Sequence, residues 1–340
     1  MRLSVVLLVV SVSMHTKQKQ LTFMRLCAAV GVSKMPCYHK LKAFRLSSGQ
    51  IVFSEDARKD VVQNLDLPCG QCIGCRIDRS RMWAVRVIHE SQMHKANSFI
   101  TLTYNDEYMP KDDSLNYAHF QNFMKRFRSR TGLNLRFYMC GEYGENYSRP
   151  HYHACIFGYD FPDKVYWKKT GSGSKLYRSE FLESLWPFGF SSIGNLTFET
   201  AAYVARYVMK KKTGSGINPE TGLPHSSVYQ YPDPETGEIL MRTPEFNRMS
   251  LKPGIGAKWY EKFATDVYPH DYVVLGGKKV KTPRYYDKLH ADAASISQLS
   301  DLEFERYCRS LACADDNSPE RLKVREIVTQ ARLSQLKRTL

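Results

Sequence analysis

Two histidines one residue apart, His151 and His153, sit in RPHYHACIFGYD, whose apolar and aromatic residues read as a β-strand. Side chains alternate between the two faces of a strand. His151, His153, Cys155 and Phe157 therefore share one face, and Tyr152, Ala154 and Ile156 the other. Two imidazoles on one face hold a metal ion once a third ligand approaches; without one they are simply two polar residues on a sheet. Glu142 ends the preceding strand-like run, NLRFYMCGEYG, and the loop ENYSRP is short enough to bring it alongside. Glu145 and Glu107 are the secondary choices. A carboxylate with two neutral imidazoles and open positions suits Mg²⁺ or Mn²⁺ acting on a phosphate.

Tyr203 and Tyr207 lie four residues apart in ETAAYVARYVMKKK, a helix-like run with its acidic residue early and its basic residues late. Aromatics at this spacing are commonly core. Here, however, the face runs on into Lys210 and Lys211. A tyrosine hydroxyl, with an ordinary pKa near ~10, attacks a phosphodiester only when the phosphate is polarised and the leaving group stabilised. Lysines nearby would offset the developing charge.

The chain has nine cysteines, and Cys69, Cys72 and Cys75 are spaced C-x₂-C-x₂-C. With Cys37 as a fourth ligand, and His39 as its rival, they predict a closed tetrahedral site for structural Zn²⁺ in a reducing compartment. The competing readings are an iron–sulfur cluster and buried free thiols.

These groups need a scaffold. Arg76–Lys95 reads as a basic helix, Ser98–Tyr104 as a strand, and Phe120, Phe123, Met124 and Phe127 as the apolar stripe of a helix that ends at Gly132. The order strand, helix, strand, strand, helix predicts an α+β fold: an antiparallel sheet with helices packed on one face, preceded by the Cys-rich segment. KKTGSGSK lacks the spacing of a phosphate-binding P-loop. The formal net charge of +15 points to a polyanionic partner, nucleic acid before an anionic membrane. Lys125, Arg126, Arg128, Arg206 and Lys211 are the candidate DNA contacts, with a plain solvated face as the alternative for the first three.

An H-x-H strand followed by a Y-x-x-x-Y helix is far more specific than either part. With FITLTYND, GEYGENYSRPHYHACIFG and YVARYVMKK, the segment Phe99–Lys212 resembles the HUH endonucleases that initiate rolling-circle replication. PCYHKLKAF, PCGQCIGCRIDRSRMWA and EFNRMSLKPGIGAKWYEKF extend the likeness, most of all to the initiators of microviruses of the gokushovirus branch. The resemblance implies His151 and His153 as metal ligands and Tyr203 and Tyr207 as paired nucleophiles. It puts Thr101–Thr103 beside the metal and Lys210 at a position often occupied by lysine. It further implies a metal-dependent nickase and strand-transferase that leaves a 5′-phosphotyrosine on single-stranded or replicative-form circular DNA. Host helicase and polymerase would be its partners, and the bacterial host cytoplasm its location, with no role for a membrane.

The expected divisions are an upstream extension (1–34), the Cys-rich segment (35–97), the endonuclease core (98–212), a Tyr/Pro/Gly-rich accessory part (213–290) and a charged helical tail (291–340). MRLSVVLLVVSVSM imitates an export signal but is too short to span a bilayer, and a start near Met35 is expected instead. Two rival functions remain at this point. One is a zinc-stabilised nucleic-acid-binding regulator without catalysis. The other is a phosphohydrolase with a histidine nucleophile, against which the third alternate position, Cys155, counts.

Overall fold

A computed structural model describes residues 37–54, 60–110, 112–144, 148–171, 173–210, 222–233 and 236–335, the side chains at 206–210 and 225 excepted. The expected extension 1–34 and Lys211 lie outside the described residues. The described chain falls into two compact units, 37–74 with 263–333, and 75–262 with the last described residues.

Strands β1 (Leu41–Leu46), β2 (Ile51–Val52) and β3 (Val61–Leu67) come first, then helix α1 (Ile73–Gln92) and strand β4 (Asn97–Tyr104). Helix α2 (Tyr117–Thr131) leads to β5 (Arg136–Tyr143), β6 (Pro150–Phe157), β7 (Val165–Lys169) and β8 (Lys175–Arg178). Helix α3 (Glu180–Leu185), β9 (Gly189–Gly194) and α4 (Phe198–Lys210) follow, then β10 (Gln230–Pro232), β11 (Ile239–Met241), β12 (Phe246–Met249) and α5 (Ala257–Val267). The hairpin β13 (Tyr272–Leu275) and β14 (Lys278–Lys281) precedes α6 (Arg284–Ala291), α7 (Ile296–Ala312) and α8 (Pro319–Ser334).

Seven strands form one antiparallel sheet in the order β12-β5-β6-β4-β9-β8-β7. α2 is bounded as its sequence predicts. The Asn116 side chain accepts from Ala118 N–H, and Gly132, at φ 67°, closes the end through its N–H to Arg128 O. Its buried stripe Phe120, Phe123, Met124 and Phe127 packs with α3 on the face formed by Ile100, Leu102, Met139, Tyr152, Ala154 and Ile156.

The expectation of helices on one face is corrected here. α1 and α4 cover the opposite face, where Ala84, Val87, Ala201, Val204 and Ala205 pack on Phe99, Tyr138, Cys140, Cys155 and Phe157. The physical reason lies in β5, buried from Arg136 to Glu142. A strand buried on both sides must be covered on both. The compact unit is accordingly wider than 98–212, since α1 lies under the sheet and β12 adds to its edge beside β5.

The smaller unit contains the sheet β2-β1-β3, the β13–β14 hairpin and helices α6 to α8. Buried Asp271 binds Arg306, with one contact at 2.5 Å, and also Arg309. Tyr38 Oη meets Thr329 Oγ1 at 2.8 Å. Val324, Ile327 and Val328 of α8 are exposed. Among the described residues no helix is long and apolar enough to cross a membrane.

Candidate metal and tyrosine site

Strand register builds the site. His151 pairs with Glu142 on β5 and Thr103 on β4, and His153 with Cys140 and Thr101. Directly paired residues of neighbouring strands share a face. Glu142, His151 and His153 thus converge on the α1/α4 side of the sheet. His151 Nε2 lies 3.0 Å and His153 Nε2 2.9 Å from the same oxygen, Glu142 Oε1. Glu142 is 1% exposed. Burial pushes its carboxyl up, but the hydrogen bonds and charges of His151 and His153 outweigh this and hold it at about 2.

The far side of each imidazole is also engaged. His151 Nδ1–H donates to the Arg149 carbonyl at 3.0 Å, and His153 Nδ1 meets Thr101 Oγ1 at 2.9 Å. With Nδ1 protonated, a neutral His151 turns its Nε2 lone pair toward a carboxylate oxygen. Lone pairs at that distance repel unless a proton or a metal cation lies between them. Metal-binding histidines commonly have their other nitrogen held by a carbonyl in this way. Three ligand atoms within 4.8 Å of one another, one a hard oxygen and two imidazole nitrogens, fit a divalent cation with positions left open.

α4 brings the tyrosine. Its start is fixed by reciprocal hydrogen bonds, Thr197 N–H to Thr200 Oγ1 at 2.8 Å and Thr200 N–H to Thr197 Oγ1 at 3.3 Å. Ala201, Val204 and Ala205 press it onto the sheet. From β12, the Asn247 amide donates to Met139 O and to Val204 O, tying the helix to the sheet one residue from Tyr203. Tyr203 Oη donates to Glu142 Oε1 at 3.4 Å, and its ring meets His153 edge-on at 5.1 Å. One carboxylate oxygen is thereby shared by two imidazoles and a phenol.

Comparison with known proteins agrees with this arrangement. A family profile described as replication-associated protein ORF2 matches residues 97–212, from β4 past the tyrosine helix. Replication-associated protein VP4 of Bdellovibrio phage phiMH2K is 35% identical over 261 residues, covering 74% of this chain and 76% of the phage protein. The chain belongs to the replication-associated protein family of microviruses. Replication-associated protein ORF2 of Spiroplasma virus 4 is 30% identical over 277 residues, 75% of this chain and 80% of that protein. Replication-associated protein ORF4 of Chlamydia phage 1 is 35% identical over 169 residues, 47% of this chain and 42% of that protein. No solved structure matches.

The remaining expected residues of this family member divide clearly. Lys125, Arg126 and Arg128 lie on α2, across the sheet from the histidines. Arg126 donates to Leu185 O at 2.8 Å and Arg128 to Leu135 O at 2.8 Å, so both guanidinium groups hold the fold together. Tyr207, Arg206 and Lys210 belong to α4, but their side chains lie outside the described residues, as do Lys211 and Glu145. Glu107 is exposed on the loop after β4 and does not join the cluster.

The cysteines do converge. One sulfur each from Cys37, Cys69, Cys72 and Cys75 lies within 4.8 Å of the others. Cys72 Sγ and Cys37 Sγ are 4.0 Å apart, far from a disulfide and close to the ~3.8 Å expected between two sulfurs of a tetrahedral Zn–S site. Backbone N–H groups of Cys69, Tyr38 and Cys72 donate to Cys37, Cys72 and Cys69 sulfurs at 3.3–3.4 Å, which favours thiolates there. Gly70, at φ 74°, makes the turn. His39, the rival ligand, instead pairs with Glu326 at 2.9 Å.

Sequence reasoning missed Arg149, whose carbonyl orients His151, and Asn247, which ties down α4. A hydrogen-bond role for a backbone carbonyl leaves no trace in residue type. Asn247 is remote in sequence from both of its partners, Met139 and Val204.

Proposed function

We propose that the chain initiates rolling-circle replication of a phage genome as an HUH-type endonuclease, nicking and rejoining single-stranded DNA through a covalent tyrosine intermediate. The observation that carries this reading is the hydroxyl of Tyr203 on the carboxylate oxygen shared by His151 and His153. Glu142, His151 and His153 would hold Mg²⁺ or Mn²⁺. When bound, the cation supplies Lewis-acid polarisation of the scissile phosphate.

The chain's own residues do the rest. Tyr203 Oη attacks phosphorus, the P–O3′ bond breaks, and the departing oxygen becomes a free 3′-hydroxyl for the host polymerase. The phosphate stays on tyrosine as a 5′-phosphotyrosine ester, which conserves the bond energy for rejoining. Tyr207 serves as the second nucleophile at termination, with Lys210 offsetting charge and Arg206 and Lys211 holding the backbone. The Cys37, Cys69, Cys72 and Cys75 cluster holds structural Zn²⁺. A host helicase opens the replicative form, and the protein works in the bacterial host cytoplasm.

The test is covalent capture. Single-stranded oligonucleotides tiling the viral circle, 3′-labelled, are incubated with the full chain and Mn²⁺ and then denatured. Label retained on the protein supports the reading. Cleavage without retained label favours a hydrolase, and binding without cleavage a regulator.

A further inference from the structure

The sheet row that begins at Glu142 and His151 continues through Thr103 to Phe190: Glu142 pairs with His151, His151 with Thr103, and Thr103 with Phe190. All four residues share the site's face. The neighbouring row through Tyr138, Cys155 and Phe99 is buried under α1 and α4. The last residue of the open row is not, since Phe190 is 64% exposed. Gly189 seats it there. At φ 148°, Gly189 packs so closely on β4 that an added Cβ would lie 2.3 Å from Asn105 N. Only glycine permits that approach.

Beyond β9 the sheet runs out to its edge through the β8–β7 hairpin. Between Val165 and Arg178 the chain has four basic residues, Lys168, Lys169, Lys175 and Arg178, and no carboxylate. Trp167 is 47% exposed with Lys168 Nζ 4.0 Å from its ring centre. Arg178 is partly neutralised by Glu183 at 2.7 Å. Exposed aromatic rings interleaved with cations are the elements of a sequence-tolerant track for single-stranded nucleic acid.

We infer that Phe190 is a stacking platform for a DNA base beside the reacting phosphate, and that Trp167 and the hairpin lysines carry the strand on toward the sheet edge. Two strand spacings, about 10 Å, separate the Phe190 and His151 backbones, within reach of a base on a strand held at the histidines. This inference rests on the nickase reading for its direction, but its test does not depend on cleavage.

The probe is an oligothymidylate bearing a fluorophore, with one 5-iodouracil for photocrosslinking, bound to the full chain in the presence of EDTA. Binding is expected, with a crosslink at Phe190 or Trp167 by mass spectrometry. Phe190→Ala should weaken binding roughly tenfold and Phe190→Trp should restore it. Circular dichroism confirms folding of both variants. No binding, or equal binding by wild type and Phe190→Ala, overturns the inference. So does a Phe190-dependent dimer with unchanged DNA affinity, which would make the face an interface between copies. Phe190-dependent binding without any covalent adduct on the tiled oligonucleotides would leave the platform standing and remove only the nickase reading.

Discussion

Tyr203 Oη and Glu142 Oε1 lie 3.4 Å apart, although 61 residues separate them in sequence. The contact joins helix α4 to strand β5 across the face of the sheet, and it places a phenol against the oxygen that two histidines share.

Glu142→Gln keeps the side chain's shape and removes its charge. If the carboxylate is a metal ligand, Mn²⁺ affinity by isothermal titration should fall by more than about a hundredfold, beyond the loss typical of an outer hydrogen-bond partner. Equal affinity in the variant would remove Glu142 from the ligand set.

The cysteine cluster should carry zinc. Protein purified without chelator is expected to contain one zinc ion per chain by elemental analysis. Cys72→Ser should lose the metal and unfold at lower temperature. A zinc-free wild-type chain with the same thermal midpoint as the variant would leave four free thiols and no site.

Gly189→Ala tests the approach of β9 to β4. The new Cβ would collide with backbone at Asn105 and Thr103, so the variant should be destabilised by about 2–3 kcal/mol in denaturant unfolding. Gly173→Ala, also at positive φ but with nothing within 4 Å, should cost less.

Burial holds His89 down at about 3, with its ring stacked on Trp259 at 3.5 Å. The folded state therefore resists a proton that the unfolded chain accepts below about 6.5. Stability from this group is complete above about 6.5 and is lost as pH falls toward about 3, at up to about 1.4 kcal/mol per pH unit. His89→Phe should flatten the acid limb of a plot of unfolding free energy against pH.

Much of the site was legible because it depends on short periods. Strand alternation put His151 and His153 on one face and brought in Glu142 across a short loop, while helical spacing set Tyr203 on α4. Packing on both faces was not legible, because Arg136 and Glu142 make β5 look half-polar. Tertiary partners neutralise both charges: Arg136 meets Glu90 at 2.5 Å, and Glu142 meets the histidines. The roles of Arg126 and Arg128 were hidden for the same reason, since the carbonyls they bind belong to residues outside α2. Phe190 is a single aromatic in GFSSIG, and its exposure follows from where α1 and α4 stop covering the sheet.

The nickase reading depends most on the bond that Tyr203 is proposed to make. The most direct measurement is the mass of the DNA-linked peptide after reaction with a 3′-labelled oligonucleotide and Mn²⁺, denaturation and digestion. The prediction is a 5′-phosphate ester on a peptide of α4, located at Tyr203 by fragmentation, and no adduct at all when Tyr203→Phe and Tyr207→Phe are combined. An adduct that survives the double substitution, a link outside α4, or cleavage with no covalent peptide would contradict it.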